Sequence, residues 1–135
     1  MRITDHFSLE EFYFSITAEN KKIDNTPKPE TVANIVALVE NVLEPVRVKF
    51  ARPIMVNSGY RCTRLNNAVG GAKNSQHLNG KAADITTGSI ETNKELFAMI
   101  KSYFKFDQLI WEYGGKWVHV SWNGSSNRGQ ILSVG

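Results

Sequence analysis

The sequence has one cysteine, Cys62, so it can form no internal disulfide and cannot build a metal site from several thiolates. A lone thiol acts as a nucleophile only with a base beside it. A buried structural thiol is the preferred reading, because free cysteine is among the most buried residue types. There is no apolar run of about 18 residues to span a bilayer, and no N-terminal apolar run of signal-peptide length. The expectations are no membrane insertion and synthesis in the cytoplasm without a targeting segment. Lysine and arginine number 16 against 13 acidic residues, a net charge of +3, and they are scattered along the chain. That argues against nucleic acid, which leaves a clustered basic footprint. A mildly basic surface does suit an anionic polymer. Repeats and low-complexity tracts are absent, and histidine is scarce, with three in the chain.

What is present fits one domain over residues 1–135, with 41% hydrophobic and 10% aromatic residues. Ser8 and Glu11 have capping-box spacing for a short helix, which Phe7, Phe12 and Phe14 would pin to the body. Residues 18–29 read as a surface loop. Pro29 suits the start of a helix whose stripe is Val32, Ile35, Val36, Val39, Val42 and Leu43, ending near Pro45. Residues 53–57 read as a buried strand leading to Arg61, and the Asn- and Gly-rich residues 65–74 as a loop. Ala82 to Thr86 reads as a strand. Thr92 and Glu95 suit the cap of a second helix with Leu96, Phe97, Ile100, Tyr103 and Phe104 on one face. Residues 107–113 and 117–122 alternate around Gly114-Gly115, a hairpin signal.

The chemistry gathers around Ser75-Gln76-His77-Leu78-Asn79-Gly80-Lys81-Ala82-Ala83-Asp84. A zinc hydrolase site needs three protein nitrogen or oxygen ligands and one open position. His77 and Asp84 are candidates for two, and His119, in the strand-like Trp117 to Trp122, for the third. A hydrogen-bonded structural role is the alternative for each histidine. His6 lies beside a predicted helix cap and is left out. Arg61, just after a strand, can hold a carboxylate by both oxygens, or can be a surface salt-bridge partner.

The string Ser75-x-His77-x-x-Gly80-x-Ala82-x-Asp84 resembles the signature of the zinc D-Ala-D-Ala carboxypeptidase family. That family includes phage L-alanyl-D-glutamate endopeptidases and shares its fold with the Hedgehog signalling domain. The resemblance extends to Asn57-Ser58-Gly59-Tyr60-Arg61, Asn66, Gly70-Gly71 and Trp117-x-His119-Val120-Ser121, and covers about residues 26–122. It implies zinc bound by His77, Asp84 and His119, with Arg61 in the active site and Ser75 binding substrate or orienting a ligand. Part of the family places a catalytic glutamate three residues before the last histidine, where this chain has Lys116.

A two-residue turn at Gly114-Gly115 pairs Glu112 with Trp117 and Ile110 with His119, so Glu112 shares a face with His119 as its diagonal neighbour. A three-residue turn would send Glu112 to the other face. Glu112 is the candidate base and Asp107 the fallback, while an exposed charge paired with Lys116 is the alternative for Glu112. Zinc makes water acidic near neutral pH, and a base at Glu112 would move its proton to the leaving amine.

The expected fold is α+β, a single domain with a central antiparallel sheet and helices packed against it. The expected function is zinc-dependent hydrolysis of a bond in peptidoglycan stem peptides, by a monomer serving a phage or prophage in lysis. The other reading is a zinc-bearing binding domain of the same fold without turnover.

Overall fold

Alternation of apolar and polar residues in the second half of the chain produces a sheet with two unlike faces. The computed structural model describes residues 1–135. Its strands are β1 (Met55–Ser58), β2 (Ala82–Thr86), β3 (Gln108–Glu112), β4 (Trp117–Ser121) and β5 (Gln130–Val134), in the order β1-β2-β4-β3-β5. The first four pair antiparallel with their neighbours. Ala83, Ile85, Leu109, Val118 and Val120 face the hydrophobic core. Asp84, Ile110, Glu112 and His119 face a cleft on the other side.

The α+β class holds, but the sheet is mixed, because β5 runs parallel to β3 at its edge. A short connection suffices for this. β4 ends beside the start of β3, where the Asp107 amide donates to the Ser121 carbonyl, and the chain re-enters there as the Gln130 amide donates to the Asp107 carbonyl. All five β5 residues are exposed, so burial impressed no alternation on the sequence. β1 also differs from expectation. It is an edge strand with alternating exposure, not a buried one.

The helices are α1 (Glu10–Tyr13), α2 (Ile16–Lys21), α3 (Pro29–Leu38), α4 (Glu44–Phe50), α5 (Thr63–Ala68) and α6 (Ile90–Tyr103). α3 and α4 are one rod that continues past Pro45 through a π-helical turn, Val39–Leu43. Proline lacks an amide hydrogen and crowds the carbonyl four residues back. Here the ladder is already widened, with the Glu44 amide donating five residues back to the Val39 carbonyl. Val39, Val42, Leu43 and Val46 stay fully buried through the turn, so core packing holds the rod together. It stops at Ala51, which takes a left-handed φ of 59°.

Three further boundaries shift for local reasons. Ser15 caps α2 within the expected surface loop, accepting from the Ala18 amide at 3.2 Å. Cys62 caps α5 within the Asn-rich stretch, its Sγ accepting from the Leu65 amide at 3.4 Å. The thiol is half-buried, so this cap replaces the buried role expected for it. Ser89 rather than Thr92 caps α6, accepting the Thr92 amide at 3.1 Å. Phe7 and Phe12 are buried as expected, while Phe14 is 57% exposed at the rim of the cleft.

Candidate metal centre

Asp84 and His119 lie directly opposite each other on β2 and β4, so their side chains leave the sheet on the same face. Asp84 Oδ1 is 3.0 Å from His119 Nδ1. His77 arrives from a short 3₁₀ turn, Gln76–Asn79, immediately before β2. Ser75 opens that turn, its Oγ accepting from the His77 amide at 3.2 Å. Gly80 closes it with a φ of 71°, so close to α3 that a Cβ would lie 2.9 Å from Ile35 Cγ1.

The His77 ring is oriented from behind. Its Nδ1 donates to the Gly59 carbonyl at 2.6 Å, which leaves Nε2 facing Asp84 Oδ1 at 3.3 Å. A carbonyl accepts but cannot donate, so Nδ1 carries a proton and Nε2 is the nitrogen turned into the cluster. Two imidazole nitrogens and a carboxylate oxygen turned toward one point suit a cation there. The ligand atoms of His77, Asp84 and His119 all lie within 4.8 Å of one another, and all three residues are buried. Two imidazole nitrogens and one carboxylate oxygen are a donor set that suits zinc, with a backbone carbonyl fixing one ring as such ligands require. Burial raises the Asp84 carboxyl, but hydrogen bonds from His119 and His77 outweigh it and hold the group below the ordinary carboxylate range.

Glu112 stands beside this cluster. The hairpin pairs Ile110 with His119 and Glu112 with Trp117. Tyr113 to Lys116 form the connection, four residues rather than two, but centred on the same Gly114-Gly115 pair and therefore in the same register. Glu112 Oε2 is 3.6 Å from His119 Nδ1, and Oε1 accepts from Trp117 Nε1 at 3.1 Å. The alternative pairing with Lys116 does not form. Burial and the nearby Asp84 charge raise the Glu112 carboxyl above its ordinary value, suiting a group that must hold a proton for part of a cycle.

Asp107, the fallback base, lies elsewhere. It is fully buried, and its oxygens accept from the Arg128 amide, Nε and Nη2 and from Gln76 Nε2, each at 2.9 Å. With both oxygens engaged it braces the fold, and its carboxyl is held down at about 2, chiefly by Arg128. His6 is also remote, paired with Glu44 at 2.6 Å.

Arg61 lines the cleft with the three ligands, Glu112 and Ser75. Its amide donates to the His77 carbonyl at 3.0 Å. Asn25, which the sequence reading missed, holds the flanking backbone, donating to the Tyr60 carbonyl and accepting from the Cys62 amide. Arg61 Nε is buried with no protein partner. Burial lowers the guanidinium's pKa, opposed by Asp84 and Glu112. The cleft, of about 1050 Å³, is large enough for a peptide segment. The Gly59 carbonyl and the Trp117 indole were also missed. The first acts across 18 residues, and the second on the strand partner that the hairpin pairing had already set opposite it.

Residues 5–121 match the peptidase M15 family. A 38-residue segment is 53% identical to the zinc D-Ala-D-Ala carboxypeptidase of Streptomyces albus G, covering 28% of this chain and 15% of that protein. The family match begins further toward the N-terminus than the motifs alone suggested, and it takes in Arg61, Ser75, His77, Asp84, Glu112 and His119. The chain belongs to the peptidase M15 family.

Proposed function

We propose that this chain is a zinc peptidase that hydrolyses a peptide bond in peptidoglycan stem peptides, of the D-Ala-D-Ala carboxypeptidase or endopeptidase type. The observation that carries the reading is Glu112, half-buried and beside a buried His-Asp-His cluster on the floor of a peptide-sized cleft. The Streptomyces relative, a zinc D-Ala-D-Ala carboxypeptidase, supports zinc and a D-Ala-D-Ala type of substrate. When bound, zinc supplies a Lewis acid that polarises a carbonyl and makes water acidic near neutral pH.

His77, Asp84 and His119 would hold the metal. Glu112, steadied by the Trp117 indole, takes a proton from water at its Oε2 and returns it to the leaving amine. Arg61 offers its guanidinium to a substrate carbonyl or carboxylate in the same cleft. The setting we propose, by analogy with the phage endopeptidases the sequence resembles, is lysis by a monomer released from the cytoplasm.

The test is release of new amines from purified peptidoglycan with added zinc and with a chelator. Chelator-sensitive release supports the peptidase, and the fragment released identifies the bond. Stoichiometric zinc without any release would overturn it in favour of a binding domain.

A further inference from the structure

A second arginine lines the cleft, and nothing in the mechanism above uses it. Arg128 sits in the segment between β4 and β5, 54% exposed. Its Nε donates to Asp107 Oδ1 and its Nη2 to Asp107 Oδ2, each at 2.9 Å, while its own amide also donates to Oδ1. A guanidinium has five N–H donors. Two are spent on Asp107, leaving both on Nη1 and one on Nη2, which together form a second fork. No group of the protein accepts from that fork.

This anchoring is stiffer than a surface ion pair. Asp107 is fully buried, so the guanidinium is gripped along one edge before any ligand arrives. An arginine held in this way loses little further freedom on binding a carboxylate by its free edge. The same Asp107 carboxylate accepts from Gln76 Nε2, one residue before His77. One buried acid therefore braces both the Arg128 fork and the turn that carries a metal ligand.

The distance along the cleft follows from the sheet. Ile110 lies opposite His119, and Asp107 is three residues earlier, just before β3 begins. At about 3.3 Å per residue the backbone of the Arg128 anchor lies roughly 10 Å from the rung that carries His119, so the fork and the His-Asp-His cluster are separate points of the cleft. We infer that Arg128 is a specificity-determining residue that binds a non-terminal carboxylate of the substrate peptide, at a point of the cleft apart from the His-Asp-His cluster. The inference rests on the peptide-substrate reading of this cleft. Arg61 and Arg128 then hold the peptide at two points, and a peptide amidated at the inner carboxylate would be a poor ligand.

The experiment compares zinc-loaded wild type with Arg128→Lys and with the charge-neutral pair Asp107→Asn/Arg128→Gln. Lysine can still pair with Asp107 but has no second fork, and the neutral pair avoids stranding a buried charge. Calorimetry reads the affinity for a peptidoglycan stem peptide with its inner carboxylate free and for the same peptide amidated there. Turnover of both peptides is measured in parallel. The wild type is expected to prefer the free carboxylate by roughly ten- to hundred-fold, as for a charge-assisted contact. In both variants the ratio should fall to about one. Equal binding of the two peptides by wild type, or a ratio unchanged in the folded variants, overturns the inference. Discrimination without any turnover upholds it while removing the peptidase reading, and turnover without discrimination does the reverse.

Discussion

Asp84 and His119 form one rung of the β2–β4 ladder, with Asp84 Oδ1 3.0 Å from His119 Nδ1. Two ligands on one rung are fixed to each other by backbone hydrogen bonds, so little motion is needed to close on an ion. His119→Ala should therefore lower zinc affinity by more than the roughly ten- to hundred-fold typical of losing a mere supporting partner. Zinc content after dialysis checks this. Stoichiometric metal in a folded His119→Ala protein would show that the rung is not the binding site.

Glu112 is held by the Trp117 indole and lies 3.6 Å from His119 Nδ1. Glu112→Gln should keep zinc and lose turnover by roughly 10²- to 10⁴-fold, the range for removing a positioned general base. Steady-state rates on peptidoglycan, with zinc content measured on the same sample, separate loss of the base from loss of the metal.

Gly59 approaches α1 so closely that a Cβ would lie 2.5 Å from the Phe12 carbonyl oxygen, and its own carbonyl accepts from His77 Nδ1. Gly59→Ala should cost about 1–3 kcal/mol of stability, as overpacking does. It should also weaken zinc binding by roughly ten-fold or more through the released His77 ring. Chemical denaturation and metal titration of the same variant test the two effects together.

Asp107 has a carboxyl held at about 2 by Arg128, below its ordinary value. A lowered folded-state value means that the stabilisation is complete above about pH 4 and is lost as the pH falls toward 2. Denaturation midpoints from pH 6 to 2 should fall more steeply for wild type than for Asp107→Asn. Parallel curves would show that the Asp107–Arg128 pair contributes nothing to acid sensitivity.

The sequence by itself determined what local alternation and spacing encode. Ala82 to Thr86 could be read as a strand, a short run whose small residues allow close packing around Asp84. The register that sets Ile110 against His119 followed from a hairpin centred on Gly114-Gly115, and that centre survives the change from a two- to a four-residue connection. The ordered motifs around Arg61, His77, Asp84 and His119 were enough to indicate a peptidase family.

Only the tertiary structure decided the rest, because those features depend on partners far apart in the chain. Asp107 has an acidic residue's sequence signature whether it is a base or a buried brace, and Arg128, 21 residues on, settles which. The Gly59 carbonyl fixes the His77 ring across 18 residues. Pro45 should end a helix by its local chemistry, yet burial of Val42, Leu43 and Val46 carries the rod through it by way of a π turn. β5 was illegible because an exposed edge strand has no buried face to impose a pattern.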